Sequence, residues 1–208
     1  NKIYTPKISK NLFRDMAALT AVDTTNMDVS RTEDMSHMFR GCTNLTSIDT
    51  SEWNTERVQT LRGTFWECSS LAELDVSGWK TSNVTDMYCL FYLCDDIKEL
   101  GVGGWNVSNV TNMAYMFQRC TSLTSLNVSS WNVGSVTTMS NMFAGCTALE
   151  TLAVSNWDVS KVVDFRWFIA CFSVDKPMKI KSLDVSNWDT SSATNMFCMF
   201  YNCKDLKS

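Results

Sequence analysis

The sequence is poor in the residues and runs that several classes of protein need. It has one His, two Pro and eight Gly among 208 residues. With a single His, we do not expect His-based acid–base chemistry. The 18 basic residues form no run and are outnumbered by 22 acidic ones, which argues against nucleic acid and anionic membrane surfaces as partners. No stretch approaches the roughly 18 apolar residues of a membrane-spanning helix, so we expect no transmembrane segment in this chain.

What the sequence does contain is an internal repeat with a period of 26 residues, interrupted once by a 31-residue step. Three columns of large or soft side chains share this register. The first column is Phe13, Phe39, Phe65, Phe91, Phe117, Phe143, Ile169 and Phe200. The second is Met16, Cys42, Cys68, Cys94, Cys120, Cys146, Phe172 and Cys203. The third is Met27, Trp53, Trp79, Trp105, Trp131, Trp157 and Trp188. The chain is therefore about seven and a half copies of one unit.

One unit, Leu71 to Cys94, predicts the local structure. Leu71, Leu74 and Val76 form an LxxLxV pattern, whose period of two fits a short strand with one buried face. Apolar residues then recur at steps of three and four, as in an amphipathic helix, at Val84, Met87, Leu90, Phe91 and Cys94. Such a unit cannot bury its apolar face alone. We predict an α/β repeat solenoid of the leucine-rich-repeat type, with a parallel β-sheet on the concave side and short helices on the convex side.

The recurring string from Leu123 to Cys146 follows the pattern LxxLxVSxWxVSxVTxMxxMFxxC with few departures. It resembles the BspA-like leucine-rich-repeat family of microbial surface proteins, over about residues 13–206. The resemblance implies a solenoid in an extracellular or cell-surface setting. It transfers no catalytic residue, and we expect no cofactor.

The domain organisation follows from the register. Residues 1–12 lack most repeat columns and are interpreted as an N-terminal cap or the end of a preceding unit. Residues 13–208 form a single solenoid, with a five-residue insertion within 173–181, and we expect the chain to be a fragment of a longer one. The insertion carries Asp175, Lys176 and Lys179, and it is either tolerated length drift or a ligand-binding loop.

The cysteines are interpreted mainly as structural. Six of nine occupy one column, where a small apolar side chain fits the interior. The pairs Cys89–Cys94 and Cys198–Cys203 share a C-x4-C spacing, so a local disulfide in each is the alternative. No CxxC pair exists, and we expect no metal site.

Two polar columns can be explained without ligand binding. Oxygen-bearing side chains follow the Trp column at Asn54, Asn106, Asn132, Asp158 and Asp189, where they are predicted to accept main-chain hydrogen bonds at a turn. On the strand face, Asp49, Glu73, Asp75 and Glu99 are predicted to line a concave acidic strip. That strip is either a solvated surface or a binding site for a protein or glycan.

Aromatic residues also occur at positions of the predicted helices that should face solvent. Trp66, Tyr88, Tyr92 and Tyr115 are not required by the repeat, because other units carry Ser, Arg, Gln or Ala there. Exposed aromatic clusters are enriched at interfaces, so we predict a convex binding patch. Partial burial between neighbouring helices is the alternative.

Together these features favour a non-catalytic extracellular module for adhesion, binding or assembly. Its partner would be a protein, a glycan or other subunits of a surface assembly. A passive spacer is a second hypothesis. A third is an enzyme acting on polysaccharide through paired carboxylates such as Asp49 and Asp75, because adjacent strands would place them within the distance that glycosidases use.

Overall fold

The computed structural model describes residues 2–172 and 176–207, and there the chain winds into a stack of similar turns, here called rungs. Residues 26 apart lie beside each other in neighbouring rungs. A continuous series of parallel bridges runs along one side of the stack through Ile8, Asp34, Thr60, Asp86, Asn112, Thr138, Asp164 and Asn195. The repeat register of the sequence is thus the register of the fold, including the 31-residue step between the last two bridge residues.

Regular strands are short and all pair in parallel. They are β1 (Ile3–Tyr4), β2 (Ala21–Val22), β3 (Met27–Asp28), β4 (Ser47–Ile48) and β5 (Glu73–Leu74). β1 pairs with β3, and the order in the other sheet is β2–β4–β5. Beyond β5 the same side of the stack continues through single lateral bonds, such as the Glu150 N–H to the Thr124 carbonyl at 3.3 Å.

The predicted helices are wrong: the structure assigns no helix among the residues it describes. In the segment from Met35 to Cys42, alternate backbone N–H groups donate to the next rung, as Phe39 does to the Thr64 carbonyl at 2.8 Å. The N–H groups between them close short turns, as Cys42 does to the Phe39 carbonyl at 3.1 Å. An α-helix would satisfy these groups four residues back within its own segment.

Two left-handed residues four apart shape each of these turn segments. His37 and Gly41 have φ angles of 56° and 74°. Each is the third residue of a turn closed by an i to i+3 hydrogen bond, the position at which a type II turn requires positive φ. The turns bring residues at three- and four-residue spacing to one side, so they imitate the apolar period of a helix.

The core is built from the repeat columns. The Phe13-to-Phe143 column stacks with ring centroids 5.0–5.9 Å apart. The Trp53-to-Trp188 column stacks at 6.1–6.5 Å. The Cys column belongs to the same core. Cys94 donates its thiol hydrogen to the Phe65 carbonyl at 3.0 Å, and Cys146 donates to the Phe117 carbonyl at 3.0 Å. Burial raises the pKa of the Cys146 thiol to about 12.

The corners between the sides are fixed by side-chain oxygens that accept the backbone N–H two residues on. The predicted turn column does this at Asn54, Asn106, Asn132, Asp158 and Asp189. A second corner uses the bridge column, for example Asp34 and Asp86. The polar side chains of the sequence therefore fix the turns at which the chain changes direction in each rung.

Candidate binding surfaces

The turn segments of successive rungs form one side of the stack, here called the turn face. It brings together the four predicted aromatics, Trp66, Tyr88, Tyr92 and Tyr115, in one connected cluster. Tyr92 has its ring centroid 5.5 Å from that of Trp66 and 6.1 Å from that of Tyr115. Tyr88 lies 5.5 Å from Tyr115. We call this cluster, with two arginines described next, the aromatic patch.

Two arginines that the sequence analysis did not single out complete the patch. The Arg40 guanidinium carbon lies 3.8 Å from the Trp66 ring centroid, and that of Arg62 lies 4.0 Å from the Tyr88 centroid. Arg62 also forms an ion pair with Asp86 at 3.2 Å. Cation–π contacts of this kind hold flexible side chains in one orientation. The 26-residue register could have revealed them, because each arginine stands one unit before its aromatic partner.

All six side chains of the aromatic patch are half-buried. Burial raises the pKa of the Tyr88 hydroxyl to about 12. The only His, His37, lies next to the patch, with its ring centroid 5.8 Å from that of Trp66. Burial and then the nearby arginines lower the pKa of His37. The patch is therefore a preformed surface of aromatic rings and guanidinium groups, with the His37 imidazole next to Trp66.

The predicted acidic residues also share one surface. Asp49, Glu73, Asp75 and Glu99 line a shallow groove of about 670 Å³ on the strand face. The two aspartates have local roles, because the Asp49 carboxylate accepts the Ser51 N–H at 3.0 Å and Asp75 accepts the Ser77 N–H at 2.9 Å.

These hydrogen bonds bear on the paired-carboxylate hypothesis. The Ser51 hydroxyl and N–H lower the pKa of Asp49, and the same groups of Ser77 lower the pKa of Asp75. A glycosidase needs environments that push its two carboxyl pKa values apart. Both carboxyls here are shifted in the same direction by the same cause, so the pair lacks that asymmetry.

The local disulfides that the C-x4-C spacing left open as an alternative are not present in the structure. Cys89, Cys94, Cys198 and Cys203 are free thiols in the structure. Cys94 lies in the core column, where its thiol donates to the Phe65 carbonyl at 3.0 Å. Cys89 lies at a left-handed turn position with a φ angle of 55°. The C-x4-C spacing thus joins one core position to one turn position and does not pair the two side chains.

The predicted insertion loop contributes to two separate surfaces. Asp175 lies outside the described residues. Lys179 approaches Glu150 at 3.9 Å. Lys176 lies at one end of a groove of about 850 Å³ that begins at Tyr92 and runs along the turn face past Gln118 to Phe172. We call this the Gln118 groove; sequence reasoning singled out neither Gln118 nor Arg119, because polar residues of the repeat carry no distinguishing signal.

The chain matches a known protein family over nearly its whole length. Residues 8–125 and 122–208 match the family described as "Mycoplasma protein of unknown function, DUF285". The chain belongs to the DUF285 family.

This DUF285 chain is also similar to a leucine-rich repeat protein from Bacteroides ovatus, at 16% identity and a TM-score of 0.40. The match covers 99% of this chain and spans 62% of the length of that protein. Comparison with curated proteins gives no match.

Two features are absent from the described part of the chain. No helix there is long and apolar enough to cross a membrane. Within the same residues, no three His, Cys, Asp or Glu side chains are grouped as metal ligands.

Proposed function

We propose that this DUF285 chain is a non-catalytic binding module that acts in an extracellular or cell-surface setting and engages a partner protein through the aromatic patch. The observation that carries the proposal is the connected set of Trp, Tyr and Arg side chains on the turn face. Trp, Tyr and Arg are the residues most enriched at the centres of protein interfaces. The BspA-like pattern of the repeat supports the surface setting.

The composition of the patch argues for function because the fold does not need it. Equivalent positions in other rungs hold Ser36, Ala114, Gln118 and Ala144, and the ladder continues unchanged through them. The patch is also ordered before any partner arrives, because its rings and guanidinium groups already contact one another. Binding then immobilises few side chains, which reduces the entropic cost of association.

A screen against an array of purified extracellular and cell-surface proteins tests the proposal. We expect the chain to bind at least one member, and the double variant Trp66→Ala with Tyr88→Ala to weaken that binding by roughly a hundredfold, as for two central hot-spot residues. The matched control is Trp167→Ala with Tyr201→Ala. It makes the same two changes in another aromatic cluster of the turn face, where the two ring centroids are 5.2 Å apart.

Equal weakening by the two double variants would show that the aromatic patch is not the binding surface. If the chain bound no member of the array, the passive-spacer hypothesis would be favoured. If Glu73→Ala weakened binding while the patch variant did not, the partner would sit on the strand face.

A further inference from the structure

The aromatic patch contains one arginine whose charge has no counterpart in the described part of the chain. The Arg40 guanidinium carbon lies 3.8 Å from the Trp66 ring centroid. Among the described residues, no carboxylate forms an ion pair with Arg40. Arg62, in contrast, is paired with Asp86 at 3.2 Å. The guanidinium of Arg40 is therefore held against a ring while its N–H donors remain available to an acceptor from another molecule.

Neighbouring side chains add positive charge near Arg40. Four cations influence the His37 imidazole, and they are Arg40, Arg14, Arg62 and Lys10. After burial, their charges are what lowers the pKa of His37. Arg14 and Arg62 each have a carboxylate partner. Lys10 and Arg40 have none within the residues that the structure describes. This end of the turn face thus carries two cations without an acidic partner.

The repeat does not require a cation at position 40. Later rungs carry Gln118, Ala144 and Ala170 in the same column. Their carbonyls accept the same ladder bonds, as the Arg40 carbonyl does from the Asp15 N–H at 2.7 Å. Arg40 is also half-buried, and partial burial of a charge without an ion pair costs free energy. The fold therefore does not explain this arginine, whereas a partner that supplies an acceptor would.

We propose that the partner of the aromatic patch presents an acidic segment of polypeptide, and that Arg40 binds one of its carboxylates. This inference rests on the protein-binding role proposed above and specifies the chemistry of the partner. A guanidinium binds a carboxylate through two parallel, charge-assisted hydrogen bonds. The contact with Trp66 restricts the arginine before binding, which reduces the entropic cost of association. Apolar side chains beside the carboxylate pack against Tyr88 and Tyr92.

A densely charged polyanion is a poorer match to the aromatic patch. Nucleic acids and sulfated glycans are bound by clusters of several lysines and arginines. In the patch, Arg40 is the arginine without an acidic partner, and it lies among four aromatic rings. A polypeptide supplies single carboxylates together with apolar side chains, so it can satisfy both kinds of group.

NMR titration of the whole chain with a peptide of Glu, Leu and Gly residues tests the proposal. The matched probe is the same peptide with Gln in place of every Glu. We expect the Glu peptide to shift the Trp66 indole signal saturably. The Gln peptide should bind at least about tenfold more weakly, because it makes no charge-assisted hydrogen bond. Raising the ionic strength from about 0.01 M to about 0.15 M should weaken binding of the Glu peptide, since the Debye length falls from roughly 30 Å to roughly 8 Å.

Variants of the chain locate the binding. Arg40→Gln should reduce the affinity for the Glu peptide by at least about tenfold. Glutamine already occupies this column at Gln118, so we expect the variant to fold, and its backbone NMR spectrum checks this. Arg31→Gln is the matched control and should keep full affinity. Arg31 also lies over an aromatic ring, 4.5 Å from the Tyr4 centroid, but outside the aromatic patch.

Several results would overturn the proposal. They are no binding of the Glu peptide, equal binding of the Glu and Gln peptides, full affinity in Arg40→Gln, or an equal loss in Arg31→Gln. Binding of heparin in place of the Glu peptide would also overturn it, in favour of a sulfated glycan. The protein-binding role would survive all of these if an array partner still required Trp66 and Tyr88. Conversely, an array without a binder would contradict that role even if the Glu peptide bound at Arg40.

Discussion

At the scale of single residues, the columns differ in how completely their polar atoms are satisfied. Trp105 donates its indole N–H to the Val76 carbonyl at 3.0 Å, and Trp131 donates to Val102 at 3.0 Å. Trp53 occupies the same column and is equally buried, but its indole nitrogen has no partner among the described residues. The same side chain therefore contributes differently to the free energy of unfolding in different rungs.

This difference predicts unequal costs for one substitution. Trp105→Phe should lower the free energy of unfolding by about 1 kcal/mol more than Trp53→Phe, because only Trp105 loses a hydrogen bond. Denaturant titrations of the two variants measure the difference, and each serves as the control for the other in buried area. Equal losses would mean that the indole hydrogen bonds contribute nothing net to stability.

At the same scale, the acidic strip shows that one residue type can have two roles. Asp49 and Asp75 line the groove on the strand face, and their carboxylates also fix the corner by accepting N–H groups two residues on. Asn127 takes the same role in the same column, accepting the Ser129 N–H at 3.3 Å. In these rungs the corner uses a side-chain oxygen and not a charge, and Glu73 and Glu99 are the acids without this corner role.

At the scale of elements, the turn segments store local strain. Positive φ costs a non-glycine residue about 1–2 kcal/mol. Glu67 has a φ angle of 63° and an exposed side chain, while Gly41, at the equivalent position one rung earlier, has a φ angle of 74°. A glycine can therefore be introduced at position 67 and removed at position 41 in the same structural context.

We expect Glu67→Gly to raise the free energy of unfolding by up to about 1 kcal/mol, since the relief of strain exceeds the entropy that glycine gains in the unfolded chain. Gly41→Ala should lower it by more than about 1 kcal/mol. A Cβ at Gly41 would lie 2.5 Å from the Asp15 Oδ1 and 3.3 Å from its Cα. Chemical denaturation of both variants checks the signs. Stabilisation by Gly41→Ala would refute the left-handed assignment.

The outcome for these elements shows what the sequence could and could not predict. The repeat register, the core columns and the parallel strands followed from spacing alone, because stacked units must align equivalent residues. The helices were wrong because two turns four residues apart give Met87, Leu90, Phe91 and Cys94 the spacing of a helix face. Only the acceptors of the backbone N–H groups distinguish these paired turns from a helix. The side-chain pattern of the sequence does not show which acceptors are used.

The candidate sites divide in the same way. Trp66, Tyr88, Tyr92 and Tyr115 could be predicted, since they depart from their columns in a way that a repeat makes visible. The groove at Gln118 could not be predicted, because it depends on the small residues of the following rungs, such as Gly145. The sequence shows which residues are unusual, whereas the structure shows which atoms lack a partner.

At the scale of the whole molecule, the ladder separates two surfaces of different chemistry. The turn face carries Arg40, Arg62 and Arg119 among aromatic rings, while the groove on the strand face has four acidic residues and one lysine in its lining. A chain with a net charge of −4 therefore still presents guanidinium groups on the face that we assign to binding. Such asymmetry orients a charged partner as it approaches.

The aromatic patch depends on the turn face being a ladder between rungs, since only that arrangement sets Trp66 beside Tyr92. The most direct test is NMR measurement of scalar couplings across backbone hydrogen bonds. For the Phe91 amide nitrogen, the structure predicts a coupling to the carbonyl carbon of Met116, whose oxygen lies 2.9 Å away in the next rung. A coupling from Phe91 to the carbonyl carbon of Met87, four residues back as in an α-helix, would contradict the ladder and the aromatic patch built on it.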